Sequence, residues 1–223
     1  TSGTYNKYNT AVENLVSQGT KHYTALECTK EINGASKIYT LGENITMEVL
    51  YQKYYEETSS SENNYSVCLL FKVGEYKFLF TGDLEADGEK SLVDNNKDKI
   101  ENCTVYKAGH HGSKTSSSDY LLDVVNPKIS VCTCVCGSTE YTTKNENTFP
   151  TQQYVDRISK HTKEVYVTSL CVDYEKGEYQ SMNGNIIISS NKNSLGVACS
   201  NNSTLLKDTE WFKTYRTTPE SWL

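Results

Sequence analysis

The sequence predicts a layered α/β domain, and three observations lead there. From residue 65 onward the apolar and amphipathic segments run strand-strand-helix, strand-helix, strand-helix, strand. Strands that alternate with helices imply helices layered on a sheet. Seventeen Tyr against three Pro fit a folded chain rich in strands. Finally, the polar residues suited to chemistry fall at strand C-terminal ends, beside glycines that let the backbone turn sharply.

The elements follow in order. Residues 4–17 predict an amphipathic helix, because Tyr8, Ala11, Val12, Leu15 and Val16 share one face and Gly19 can cap its end. Short strands are expected at 22–28, 37–41 and 45–51, with His22 solvated. A polar loop, 56–64, precedes a hairpin of 65–73 and 76–81, turned by Gly74-Glu75. A helix is expected over 84–98, burying Leu84, Leu92 and Val93, and a strand over 103–108. Ser116-Ser117-Ser118-Asp119 signals a helix start for 120–125, which Asn126-Pro127 stops. A strand at 128–136, a polar loop at 137–147 and a helix at 151–160 opened by Pro150 come next. Strands at 164–170, 185–189 and 195–199 lead to a tail, 204–223, that carries Leu205, Leu206, Trp211, Phe212, Tyr215 and Trp222. No repeat or linker stands out, so residues 1–203 read as one unit and 204–223 as an aromatic tail that packs on the body or on a partner.

Composition bounds the function. With 223 residues, 36% apolar and 22% charged, the chain can bury a core. A net charge of −6 argues against a constitutive nucleic-acid binder, though not against a local basic groove. No run approaches the roughly 18 apolar residues of a membrane span. Thr1-Ser2-Gly3 carries no Met and no signal pattern, which reads as a processed or truncated start. The eight Cys lie mostly in apolar runs such as 65–70, where a free thiol packs as a small hydrophobe. Reduced cysteines and a reducing, cytoplasmic compartment are therefore expected. Cys132, Cys134 and Cys136 alternate along a strand about 6.6 Å apart, a packing pattern and not a zinc site.

Two strand ends carry the candidate chemistry. Phe78-Leu79-Phe80-Thr81-Gly82-Asp83 ends in a carboxylate that can ligate or bridge a cation, or equally cap the helix that follows. Val105 to Ser113 ends in Gly109-His110-His111-Gly112-Ser113, which holds two of the four His in the chain. In extended backbone the two imidazoles point to opposite faces, one toward a metal and one into a supporting hydrogen bond. Ser113 and Lys114 are candidates for holding an anionic substrate, although helix capping explains the serines that follow equally well.

These motifs, with Val125-Asn126-Pro127-Lys128, resemble the metallo-β-lactamase superfamily. The branch most similar contains the metallohydrolase domain of the bacterial DNA-uptake channel protein. The resemblance covers roughly residues 4–190. It implies an αββα sandwich with two metal ions, zinc or manganese, at one edge of the sheets. Asp83 matches the bridging aspartate and one of His110 and His111 the last histidine ligand. In that family a metal-activated water attacks a phosphorus or carbonyl centre.

The sequence departs from the family in two ways. The His-x-His-x-Asp-His motif that precedes the helix matching 4–17 is absent, and the remaining histidines are His22 and His161. Where the branch often carries His-Pro, this chain has Phe149-Pro150. The chain therefore reads as the C-terminal part of a metal-dependent hydrolase of phosphodiester or small ester bonds, inactive alone. The alternative is a truncated, non-catalytic binding module. Nuclease action on single strands would need a basic groove, of which Lys107 and Lys114 are the nearby hints. Half a sandwich exposes sheet face and edge, so self-association or pairing with an N-terminal segment is expected.

Overall fold

The structure, a computed structural model, describes residues 3–191 and 194–223; Thr1 and Ser2, on which the expectation of a processed or truncated start rests, lie outside them. Helix α1 spans Gly3–Ser17 and α2 Ala25–Lys30. Strands β1 (Ile38–Gly42), β2 (Ile45–Leu50), β3 (Cys68–Val73) and β4 (Tyr76–Phe80) form an antiparallel meander. Helix α3 (Ala86–Ile100) leads to β5 (Val105–Lys107), α4 (Asp119–Val125) to β6 (Ile129–Cys136), and α5 (Gln152–Ile158) to β7 (Val165–Asp173). Strand β8 (Glu178–Ser181) closes the far edge, β9 (Ile186–Ser190) and β10 (Leu195–Cys199) form a separate hairpin, and α6 (Glu210–Tyr215) lies in the tail.

The α/β class expected from the sequence is what the chain forms. Its eight-stranded sheet has the strictly sequential order β1 to β8, with β4, β5, β6 and β7 parallel. Parallel crossovers are right-handed, and a sheet that grows in one direction then receives every crossover helix on the same face. The main core accordingly lies on that face, where Leu70, Leu79 and Tyr106 of the sheet meet Leu92 of α3, Leu121 and Leu122 of α4, and Tyr154 and Ile158 of α5. Phe212 and Trp222 of the tail join it, so the tail packs on the body.

The opposite face is covered in two patches. Cys28 of α2 and Ala35 pack over Val49, Leu69 and Tyr39. The β9–β10 hairpin lays Ile186, Ile188, Leu195 and Val197 over Val105, Ile129 and Tyr166. Between them Phe71 and Phe80 stack edge-on at 5.5 Å, with Phe80 still 38% exposed. Leu41 and Ile38 on edge strand β1 are also exposed. Helix α1 forms where its periodicity predicts, yet none of its residues is buried.

Three local expectations need correction. The strand read over 22–28 is mostly helix: Thr24 and Glu27 form a reciprocal capping box that starts α2. Strand β3 starts at Cys68, because residues 62–65 close a 3-10 turn. Strand β8 was not anticipated; its side chains are exposed, so it carries no alternating apolar signal. The cysteines are all free thiols, and Cys132 and Cys136 sit in the core, where burial pushes the Cys132 thiol up. No helix among the described residues is long and apolar enough to cross a membrane.

Candidate functional site

Parallel strands bring their C-terminal ends to one edge of the sheet, and the two motifs meet there. After β4 the chain turns at Gly82, with φ +57°. A Cβ at that position would lie 2.7 Å from Ser66 Oγ, so the turn needs glycine. The Asp83 amide donates to Ser66 Oγ at 2.9 Å, and Gly82 O accepts from the His110 amide at 3.0 Å. This backbone bond ties the carboxylate turn to the histidine turn. The cap of α3 is Glu85, not Asp83, which removes the capping role as the explanation for Asp83.

The histidines are not in extended backbone. His110 has φ 44° and His111 φ 59°, two successive left-handed residues followed by Gly112 at +83°. Both rings therefore lie on one side, 6.2 Å apart, against Phe149 at 5.6 and 6.0 Å. Non-glycine residues resist this conformation, so something must hold it. The Tyr106 hydroxyl accepts from Gly109 N at 3.0 Å, and Gly112 O accepts from the amide and hydroxyl of Thr151 at 2.9 and 3.0 Å. A Cβ on Gly112 would meet Pro150 Cβ at 2.9 Å.

The orientation of His111 is chemically informative. Its Nδ1 lies 2.7 Å from Thr133 O, and a carbonyl only accepts, so Nδ1 carries the proton. In the neutral ring the lone pair is then on Nε2, which faces Asp83 Oδ1 at 3.8 Å. That is too long for a hydrogen bond. It is close to the roughly 3.4 Å that separates neighbouring N and O ligands of a tetrahedral ion with bonds of about 2.1 Å. An imidazole fixed through Nδ1–H to a backbone carbonyl is the usual support for a metal-ligating Nε2. His110 is half-buried, and its Nδ1 is buried without a partner. Burial holds its pKa below the ordinary histidine value, with Asp83 opposing.

These donors fit one corner of a metal site and no more. No group of three or more His, Cys, Asp or Glu side chains suited to one ion occurs among the described residues. Zinc is normally held by four ligands, or by three and a water.

The remaining candidates stand nearby in different settings. Ser113 is buried, with its hydroxyl 3.1 Å from Thr115 Oγ1. Lys114 is exposed and donates to Asn147 Oδ1 at 3.0 Å. Lys107, half-buried at the end of β5, has its pKa lowered by burial, with Asp83 opposing. Beside His111, a cleft of about 340 Å³ opens between the end of β6 and the loop 138–149.

Several supporting residues were not singled out in the sequence. Glu89 is fully buried and accepts from the amides of Ser117 and Ser118 at 2.5 and 2.8 Å. Burial pushes its carboxyl up, opposed by those amides and by Arg157. Arg157 donates to the carbonyls of Ser116 and Lys114 at 2.8 and 3.1 Å. From the tail, Arg216 donates to Pro150 O at 2.8 Å and Thr148 O at 2.7 Å, with its guanidinium 4.6 Å over Trp211. Glu89 had a legible signal: with Leu92, Val93 and Asn96 it falls on the inward face of α3, where a lone carboxylate needs partners. Arg157 and Arg216 had none, since their acceptors are backbone carbonyls distant in sequence.

No protein-family model matches the chain. It is 33% identical over 115 residues, 52% of its length, to the competence protein ComA of Neisseria gonorrhoeae. It is 39% identical over 71 residues, 32% of its length, to recombination protein 2 of Haemophilus influenzae. It is 35% identical over 72 residues, again 32% of its length, to ComE operon protein 3 of Bacillus subtilis. The chain covers 16%, 8% and 9% of these proteins respectively. It is thus similar to a short segment of much larger bacterial competence and recombination proteins.

Proposed function

We propose that this chain supplies the Asp83 and His110/His111 side of a divalent-metal hydrolase of the metallo-β-lactamase fold, working in bacterial DNA uptake on phosphodiester or small ester bonds. The observation that carries the reading is the His111 ring, held through Nδ1 at Thr133 O with its Nε2 3.8 Å from Asp83 Oδ1. Asp83, His111 and His110 would hold zinc or manganese together with ligands from outside the described residues. The ion would supply Lewis-acid stabilisation of charge developing on the ester. The chain's own residues orient: Thr133 fixes the tautomer, and Tyr106 and Thr151 hold the turn. Similarity to a protein named for competence supports the DNA-uptake setting.

The test compares the full-length gene product with this chain. The full-length protein should hydrolyse bis(4-nitrophenyl) phosphate when given zinc or manganese, and lose that activity in Asp83→Ala and His111→Ala. The chain alone should bind zinc weakly, since two or three donors leave the shell incomplete. Metal-independent or absent hydrolysis, or activity untouched by both substitutions, would overturn the reading.

A second reading is a non-catalytic interaction module, favoured by the open strip at Phe71 and Phe80 and the unburied apolar face of α1. That module would self-associate or pair with a preceding segment. Sedimentation of the chain as a stable monomer, with no complex on adding that segment, would refute it.

A further inference from the structure

Phe149 is a large apolar ring that joins none of the apolar core clusters, although both its neighbours, Thr148 and Pro150, are buried. It is nonetheless firmly held. Its carbonyl accepts from Gly137 N at 3.0 Å, and Arg216 binds the carbonyls on either side of it. Rigid backbone support for a ring that contributes nothing to the core suggests that the ring itself is the working surface.

Two cavities use that ring as wall. One, of about 340 Å³, lies toward His111. The other, of about 270 Å³, lies toward Ser113 and Lys114. Tyr141 and Asn147 line both, and Tyr141 is tilted only 39° from Phe149 at 6.4 Å. Their chemistry differs. The first offers ring faces with hydroxyls, an amide and the Glu140 carboxylate at its rim, and no lysine or arginine. It suits a flat, uncharged, polar-edged group. The second offers the Lys114 ammonium, which bonds only a neutral amide among the described residues. A flat slot that disfavours anions and a cation, separated by one aromatic ring, match a base and its neighbouring phosphate.

We propose that the cleft lined by His111, Tyr141 and Phe149 is a nucleobase pocket. A base stacks on Phe149 beside Tyr141, its edge meets the amide of Asn147 and the hydroxyl of Thr142, and Lys114 faces the adjacent phosphate. This rests on the phosphodiester reading for its biological role, but base binding itself needs no metal.

The experiment therefore uses the chain in EDTA. Adenosine 5′-monophosphate, ribose 5-phosphate, thymidine 5′-monophosphate and octathymidylate are titrated while tyrosine fluorescence and aromatic proton shifts are followed. The nucleotides should bind and ribose 5-phosphate should not. Phe149→Ala should weaken nucleotide binding by about 5- to 150-fold, the range of one base–aromatic stack. Tyr141, 77% exposed, gives a second variant that leaves the core intact, and Tyr141→Ala should weaken binding in the same direction. Octathymidylate binding more tightly than thymidine 5′-monophosphate identifies a strand as the ligand; equal affinity identifies a free nucleotide. Ribose 5-phosphate binding as well as adenosine 5′-monophosphate, no nucleotide binding, or unchanged binding in both variants would overturn the proposal. Base binding without hydrolysis by the full-length protein would defeat the hydrolase reading alone. Hydrolysis without base binding would defeat the pocket alone.

Discussion

The left-handed turn at His110 and His111 makes a sharp prediction about stability. Replacing His111 by Ala removes the imidazole and its bond to Thr133 O but keeps a Cβ at φ 59°. Replacing it by Gly removes the same ring and bond, and also the Cβ. The left-handed region costs an L-residue about 1–2 kcal/mol. Gly loses about 0.5–1 kcal/mol more than Ala in backbone freedom on folding. The Gly variant should then be more stable than the Ala variant by roughly 0.5–1 kcal/mol, and the same comparison holds at His110, with φ 44°. At exposed Lys90, inside α3, Gly should instead be about 1 kcal/mol less stable than Ala. The sign reversal separates turn strain from any general effect of glycine. Urea unfolding read by Trp211 and Trp222, both buried, provides the assay. With a slope of about 3 kcal/mol per molar urea, the Gly and Ala midpoints at His111 should differ by ~0.2–0.3 M. Ala equal to or more stable than Gly at both histidines would refute the claim that the turn is strained. A confirmed strain would mean that two imidazoles are kept on one side at a stability cost, as expected where a site needs both.

Other consequences can be measured alongside. Arg157→Ala removes the donor to Ser116 O and Lys114 O and should destabilise by about 2–3 kcal/mol, with faster amide exchange over residues 113–118; unchanged exchange there would count against the clamp. Gly137→Ala would put a Cβ 2.5 Å from Trp211 Nε1 at φ +74°, and should cost at least about 2 kcal/mol and change the tryptophan emission of the folded state. For Glu89, burial raises the folded pKa above its ordinary 4.5, so the folded state binds the proton more tightly than the unfolded chain. Its contribution is complete below pH 4.5 and is lost as pH rises through the raised folded value. Measured against Glu89→Gln, the native chain should therefore lose stability between pH 4.5 and that value, and parallel pH profiles would show that Glu89 does not titrate differently on folding.

The candidate site was partly legible. Asp83 and the histidine pair announced themselves because apolar strands ended abruptly in glycine-flanked polar residues, and parallel strands must end on one edge. Their cooperation depended on a single backbone bond, His110 N to Gly82 O, which no spacing rule encodes. Opposite-facing imidazoles follow only if the histidine turn is extended, a conformation that local sequence neither requires nor excludes. Anchors at Tyr106 and Thr151, the latter about forty positions further along, decide it. In the N-terminal stretch 22–28 short polar-apolar alternation mimics a strand, whereas the Thr24–Glu27 box is a helix start.

By itself the sequence determined the α/β layering, most strand and helix positions, and the identity of the polar strand ends, because these follow from periodicity and turn chemistry within a few residues of each position. The tertiary structure alone decided that both histidine rings pack against Phe149, that Nε2 of His111 faces Asp83, and that the tail braces Phe149 through Arg216. Those features rest on contacts between segments distant in sequence, where backbone carbonyls choose the tautomer, the turn and the rotamer after the chain has folded.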